Sequence, residues 1–166
     1  VYSGNRSPNY YGSLRNDFYY RNFSLSFNIS FKANYYFRNA SVSYNTLFSR
    51  WIGSGDYSKR WQKPGDEVQT NVPSLIYPVN GNRDSFYTYS EILVEKGDHI
   101  RLEDISVGYD LNKTALSGLP FNSARLFFYA NNLGVLWRTN NRGLDPNFLN
   151  VPTEGKTISI GLNVTF

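Results

Sequence analysis

From Phe23 to Tyr35 the chain alternates strictly between apolar and polar positions. Phe23, Leu25, Phe27, Ile29, Phe31, Ala33 and Tyr35 interleave with Ser24, Ser26, Asn28, Ser30, Lys32 and Asn34. A period of two puts every apolar side chain on one face of a strand and every polar one on the other. On a helix the same residues would scatter around the axis, so the pattern predicts a strand. The run exceeds the mean soluble strand of about 5–6 residues, and it suffices to cross a bilayer at a tilt, which takes about 9–11.

The same signature returns at the far end of the chain. Ile158, Ile160, Leu162, Val164 and Phe166 alternate with Thr157, Ser159, Gly161, Asn163 and Thr165, and the chain stops on Phe166 in the apolar phase. Ends usually fray unless they are tied down, so a strand kept in register to the last residue is unusual in a soluble protein. Between these two runs lie two more strands. In one, Ala124, Leu126, Phe128 and Ala130 alternate with Arg125, Phe127, Tyr129 and Asn131. In the other, Ile105, Val107, Tyr109 and Leu111 alternate with Ser106, Gly108 and Asp110. The charged stretch before Ile105, holding Arg101, Glu103 and Asp104, is expected to rise clear of the apolar layer. A less regular strand is expected from about Tyr10 to Tyr20, with Tyr20-Arg21-Asn22 as a tight turn. The expectation is about five strands in all.

Their connections are unequal. Tyr20 to Asn22 is short, and Asn112 to Asn122, with Leu119-Pro120, is moderate. Tyr36 to His99 and Gly134 to Gly155 are long. Outer-membrane barrels have short periplasmic turns and long external loops, and a periplasmic C-terminus puts both long connections outside. Within the longest, Ala40, Val42 and Tyr44 extend the alternation, while Ser43 to Trp51 also suits a short helix; the pattern leaves both open. The Gly, Pro, Asn and Asp content from Gly53 to Arg83 predicts irregular structure.

Composition sharpens the choice of medium. Aromatic residues make up 17% of the 166 residues and charged ones only 18%, against about 25% charged in soluble proteins. Mean hydropathy is nevertheless −0.47, because Ser, Asn, Thr and Gly stand where charges would otherwise be. Strands with one apolar face and one wet, mostly uncharged face describe a transmembrane barrel wall. Five such strands cannot close, since an open edge in hydrocarbon leaves backbone groups unpaired at several kcal/mol each. Residues 1–166 are therefore expected to form one all-β segment of a much larger barrel, roughly a quarter of its wall. The chain holds 0 Cys and 0 Met, which excludes a thiolate metal site and suits a mature or cut chain. A net charge of +4 without a basic block excludes a phosphate-tracking surface, and no nucleic-acid partner is expected.

Five stretches resemble the C-terminal end of SusC/RagA-type TonB-dependent outer-membrane transporters. Arg60-Trp61-Gln62-Lys63-Pro64-Gly65-Asp66-Glu67, with Thr70-Asn71-Val72-Pro73, is similar to an external-loop motif of that family. Val94 to Leu102 followed by Ile105-Ser106-Val107-Gly108-Tyr109 resembles its run of glycine, aspartate, an arginine–leucine strand and glycine–tyrosine. Ala124-Arg125-Leu126 with Asn131-Asn132-Leu133, then Gly143-Leu144-Asp145-Pro146, and then Gly161 to Phe166 follow in the family's order. The resemblance implies a plugged barrel energised by TonB–ExbB–ExbD, a SusD/RagB-type lid lipoprotein, and uptake of oligosaccharides or peptides. The plug, the TonB-contact segment and the earlier barrel strands lie outside this chain.

Particular residues carry narrower expectations. Phe166 resembles the terminal aromatic read by the barrel-assembly machinery, and it is also one more lipid-facing side chain. Trp51, Tyr57 and Trp61 suit stacking on a sugar ring or contact with the lid protein, against the plainer role of packing their loop. Tyr109 and Trp137 are expected in an interfacial aromatic girdle. His99, the one histidine, has no second histidine or cysteine for a metal site. Glu103 and Asp104, adjacent on a strand, are expected on opposite faces and so not to form an acid pair. Gly53-Ser54-Gly55-Asp56 lacks the strand-before, helix-after setting of a phosphate loop, and no serine sits in a nucleophile elbow. No enzyme and no cofactor are expected. Two rivals stand beside the transporter wall: a soluble carbohydrate-binding β-sandwich, and a structural outer-membrane barrel without transport.

Overall fold

The computed structural model describes residues 3–111, 122–149 and 152–166. The chain divides into two compact units, one of residues 1–6 and 36–96, the other of residues 7–35 and 97–166. The expected Asn112–Asn122 connection lies, up to residue 121, outside the described residues.

The second unit is a single five-stranded sheet. Its strands are β1 (Tyr10–Tyr20), β2 (Phe23–Ala33), β5 (His99–Leu111), β6 (Ser123–Arg138) and β7 (Thr157–Thr165); β3 and β4 belong to the other unit. They pair in the order β1-β2-β5-β6-β7, every neighbour antiparallel. β1 and β7 are the open edges. The sheet is an up-and-down meander, so the β1–β2 and β5–β6 connections fall at one end and the two long connections at the other. Arg21, with φ 53°, takes the left-handed conformation that the two-residue β1–β2 turn needs. Asn22 ties that turn to β5 through its Nδ2–H donated to the Asp110 carbonyl at 2.6 Å.

Register decides the faces. Phe27 sits opposite Ile105, Leu25 opposite Val107, Leu126 opposite Leu162 and Phe128 opposite Ile160. The apolar sets of all five strands thus coincide on one face, and the polar sets on the other. Nothing within the unit covers the apolar face: Ile158, Ile160 and Leu162 are 64, 74 and 61% exposed. A β-sandwich needs a second sheet stacked here, and the described residues of this unit form only the one sheet.

Three strand boundaries differ from the sequence expectation. β2 ends at Ala33, because Asn34 turns left-handed (φ 59°) before Tyr35. β5 begins at His99, and its charged first half is paired on both sides, with Arg101 and Asp104 buried. The reason is a bulge: Asn28 pairs with Asp104 but Ile29 with Leu102, leaving Glu103 extra. The bulge shifts the apolar phase from Ile100 and Leu102 to Ile105 and Val107 while keeping all four on one face. β6 runs on to Arg138 past the expected end at Gly134, absorbing left-handed Asn132 and Gly134 as irregularities in its pairing with β5.

The first unit is the long connection, and it is folded. A short hairpin, β3 (Tyr36–Arg38) with β4 (Val94–Lys96), closes it. Inside are α1 (Tyr44–Arg50), α2 (Gly81–Thr88) and three single 3₁₀ turns, Gly55–Lys59, Asp66–Val68 and Glu91–Leu93. The helix alternative for Ser43 to Trp51 is the one adopted. Ser43 caps α1 by accepting from the Thr46 amide, and Trp51 closes it in the left-handed conformation. Val42, Tyr44, Val72, Tyr87 and Leu93 make a core of its own.

Candidate functional site

The polar face of the sheet carries paired charges rather than a bare hydroxyl surface. Arg15 on β1 reaches across β2 to Asp104 on β5, its Nη2–H donated to Oδ2 at 2.9 Å and to Oδ1 at 3.3 Å. Arg125 donates from Nη2 to Ser24 Oγ at 2.9 Å, and its Nε stands 3.7 Å from Asp110. Ser30 Oγ donates to Glu103. Because Ser30 and Arg15 both belong to the polar set of their strands, the bulge turns Glu103 and Asp104 to the same face, correcting the opposite-face expectation. Each carboxylate is bound to its own partner, Ser30 for Glu103 and Arg15 for Asp104.

Two glycines on this face are made necessary by neighbouring rings. A Cβ on Gly161 would lie 2.3 Å from Phe127 Cζ, and one on Gly97 would lie 2.3 Å from Tyr35 Cζ. Each ring lies over a backbone left bare by its glycine, as aromatics do over sheet glycines. The Tyr35 hydroxyl meets His99 Nδ1 at 3.2 Å, and the same nitrogen lies 2.8 Å from the Gly97 carbonyl. Burial, then the negative charges of Asp98 and Asp145, push the Tyr35 hydroxyl up to about 12. His99 is 1% exposed and held by these neighbours. Among the described residues no cluster of three or more His, Cys, Asp or Glu side chains is placed to hold a metal ion.

Residues 145–148, beyond β6, lie against this face. Asp145 pairs with Arg101 on β5, Asn132 accepts from Arg101 Nη1 at 3.2 Å, and the Phe148 ring centroid lies 5.4 Å from the guanidinium carbon. Lys32 on β2 donates to Asn147 at 2.9 Å. Sequence pattern alone did not single out Arg101 and Asp145; the one signal was that both lie in stretches resembling the transporter family.

In the other unit the three aromatics chosen from sequence separate. Tyr57 packs on the core, edge-on to Tyr44 at 6.4 Å, with Arg60 4.1 Å above its ring. Trp61 is tied into its turn, its indole N–H donated to the Lys63 carbonyl and its amide to Val72 O at 2.9 Å. Trp51 is 88% exposed at the end of α1. No ring contact joins the three among the described residues, so they do not form one stacking platform. The backbone amides of Gln62 and Lys63 both donate to Asp66 at 3.0 Å and lower its pKa below the ordinary carboxylate value. Burial raises the Tyr44 hydroxyl, which donates to the Pro73 carbonyl at 2.5 Å.

On the apolar face, Tyr and Trp occur only at the two ends. Tyr20 and Tyr109 stand at the end of the short turn, and Tyr10 and Trp137 at the other. β1 has 11 residues, a length of roughly 37 Å at about 3.4 Å each. Phe166 follows directly on β7 and is exposed.

No family model matches the chain in sequence, and no curated protein matches it. Solved structures do. A RagAB peptide importer in its open-open state superposes at TM-score 0.63 and 19% identity, over 96% of this chain and 17% of that one. The closed-closed state of a RagAB peptide importer matches at 0.63 and 18%, over 99% of this chain and 18% of that one. A RagAB peptide transporter structure matches at 0.54 and 19%, over 89% and 16%. The likeness is one of fold. The chain spans less than a fifth of the length of these neighbours, while 89–99% of it is matched. Among the described residues no helix is long and apolar enough to cross a membrane, which says nothing of strands.

Proposed function

We propose that this chain is a wall segment of an outer-membrane importer of the SusC/RagA type. The bare apolar face bounded by Tyr and Trp carries this reading: its rows face hydrocarbon and its rims face the headgroups. The open β1 and β7 edges join further strands outside this chain, since unpaired edges are not tolerated in lipid. The polar face lines a wet interior. Its Ser, Asn and Thr side chains and internally neutralised Arg–Asp pairs suit an uncharged or zwitterionic polar solute, an oligosaccharide or a peptide. The likeness to peptide-importer chains supports transport as the class, with a SusD/RagB-like surface lipoprotein as partner. TonB–ExbB–ExbD supplies energy through segments outside this chain, and no catalytic step is assigned to it.

The test is a tagged full-length protein extracted from outer membranes in detergent. A surface lipoprotein of the SusD class is expected to co-purify. Recovery of the protein as a soluble monomer, with no detergent and no lipoprotein, would sink the reading.

A further inference from the structure

Residues 139–149, which follow β6, are built as a preformed strap with one charged catch. Its interior bonds are its own: Asn140 accepts from the Leu144 amide at 2.9 Å and donates back to the Leu144 carbonyl at 3.0 Å. Asp145 Oδ1 accepts from the Asn147 amide and the Asp145 carbonyl from the Phe148 amide, each at 3.0 Å. Gly143, with φ 73°, makes the turn between them. A segment bonded this way keeps its shape whether or not it rests on the sheet.

Its attachment to the sheet is different in kind. At its start Thr139 donates its amide and its hydroxyl to the Asp98 carbonyl, at 3.0 and 3.2 Å, and beyond that point it is held by the Arg101–Asp145 ion pair, the Lys32–Asn147 hydrogen bond and the Phe148 ring over the Arg101 guanidinium. These contacts are mainly polar, and water can replace polar contacts one by one, whereas an apolar interface of equal size would have to be exposed as a whole. Arg101 is 3% exposed and its Nε has no hydrogen-bond partner among the described residues; the Asp145 carboxylate is the counter-charge that pairs with it. A buried guanidinium stripped of its carboxylate is strongly unfavourable, which makes this pair the strong point of the attachment and the rest weak.

We propose that residues 139–149 are a hinged strap held on the polar face of the sheet by the Arg101–Asp145 catch, and that its release widens the passage. The second clause rests on the reading of that face as a passage wall. The first stands without it.

In the full transporter, Phe148→Cys, at a half-buried position beside the buried Arg101, is labelled with a membrane-impermeant maleimide, with and without Asp145→Asn. Removing the charge of Asp145 is expected to speed labelling at least tenfold, and Asp145→Glu to bring it back toward the parent rate. An unchanged rate in Asp145→Asn would overturn the strap. A Lys32→Cys, Asn147→Cys pair joined by a short bis-maleimide then fixes the strap in place without touching the catch. Uptake is expected to fall at least tenfold relative to the single-cysteine proteins; uptake at their level would overturn the gating role. The labelling ratio decides the strap whether or not the parent moves solute, so the two readings fail separately.

Discussion

Asp84 shows how much one buried carboxylate organises in the folded connection. It sits on α2 but serves α1: Oδ1 accepts from the Tyr44 amide at 3.0 Å, and Oδ2 from the Asn45 amide at 3.0 Å and the Ser43 hydroxyl at 2.8 Å. A negative charge at a helix N-terminus is favourable, and these amides have no partner within the helix. Asp84→Ala is expected to destabilise the unit of residues 36–96 by at least about 1.5–3 kcal/mol, the range for hydrogen bonds to a charged group. Faster hydrogen exchange at Tyr44 to Arg50, with the sheet amides unaffected, is the measurement; protection at the parent level would refute it. The aromatics give the complementary lesson. Trp51, Tyr57 and Trp61 look alike in sequence, yet one is exposed, one packs on a core and one is pinned in a turn. What separates them is which far residues fold beside them, and no local pattern contains that.

All five strands of the sheet were legible in the sequence, but the irregular halves of β5 and β6 were not. β2 and β7 need only a period of two, and β1 follows it less regularly. β5 and β6 hold their apolar face through bulges, and a bulge resets the phase, so half of β5 read as a charged extension. The helix at Tyr44–Arg50 was ambiguous because Ala40, Val42 and Tyr44 continue a strand pattern; the Ser43 cap and the distant Asp84 decide it. Across β6 and β7, Phe127 covers Gly161. Gly161→Ala is expected to force the ring aside and cost about 1–3 kcal/mol, the usual range for overpacking. Phe127→Ala should relieve that clash, so the double variant should be more stable than additivity of the single changes allows. Thermal unfolding of the purified protein checks this, and strict additivity would mean the ring and the glycine do not interact.

For the whole molecule, the medium of the apolar face governs assembly. Phe166 continues the apolar phase of β7 directly beyond its last paired residue, and we propose that it is read during insertion of the barrel. Phe166→Asp is expected to lower outer-membrane levels several-fold, measured by quantitative blotting of membrane fractions, while Thr165→Ser should not. Normal levels of Phe166→Asp would remove that role. Alternation alone determined that this protein is a two-faced sheet of about five long strands, because side-chain direction along a strand is a property of the local backbone. Tertiary structure alone decided the strand register through the β5 bulge, the folding of the long connection around its own core, and the meeting of Arg101 with Asp145. Those depend on residues dozens of positions apart, brought together only when the ladder closes, and a period of two carries no information about distance along the chain.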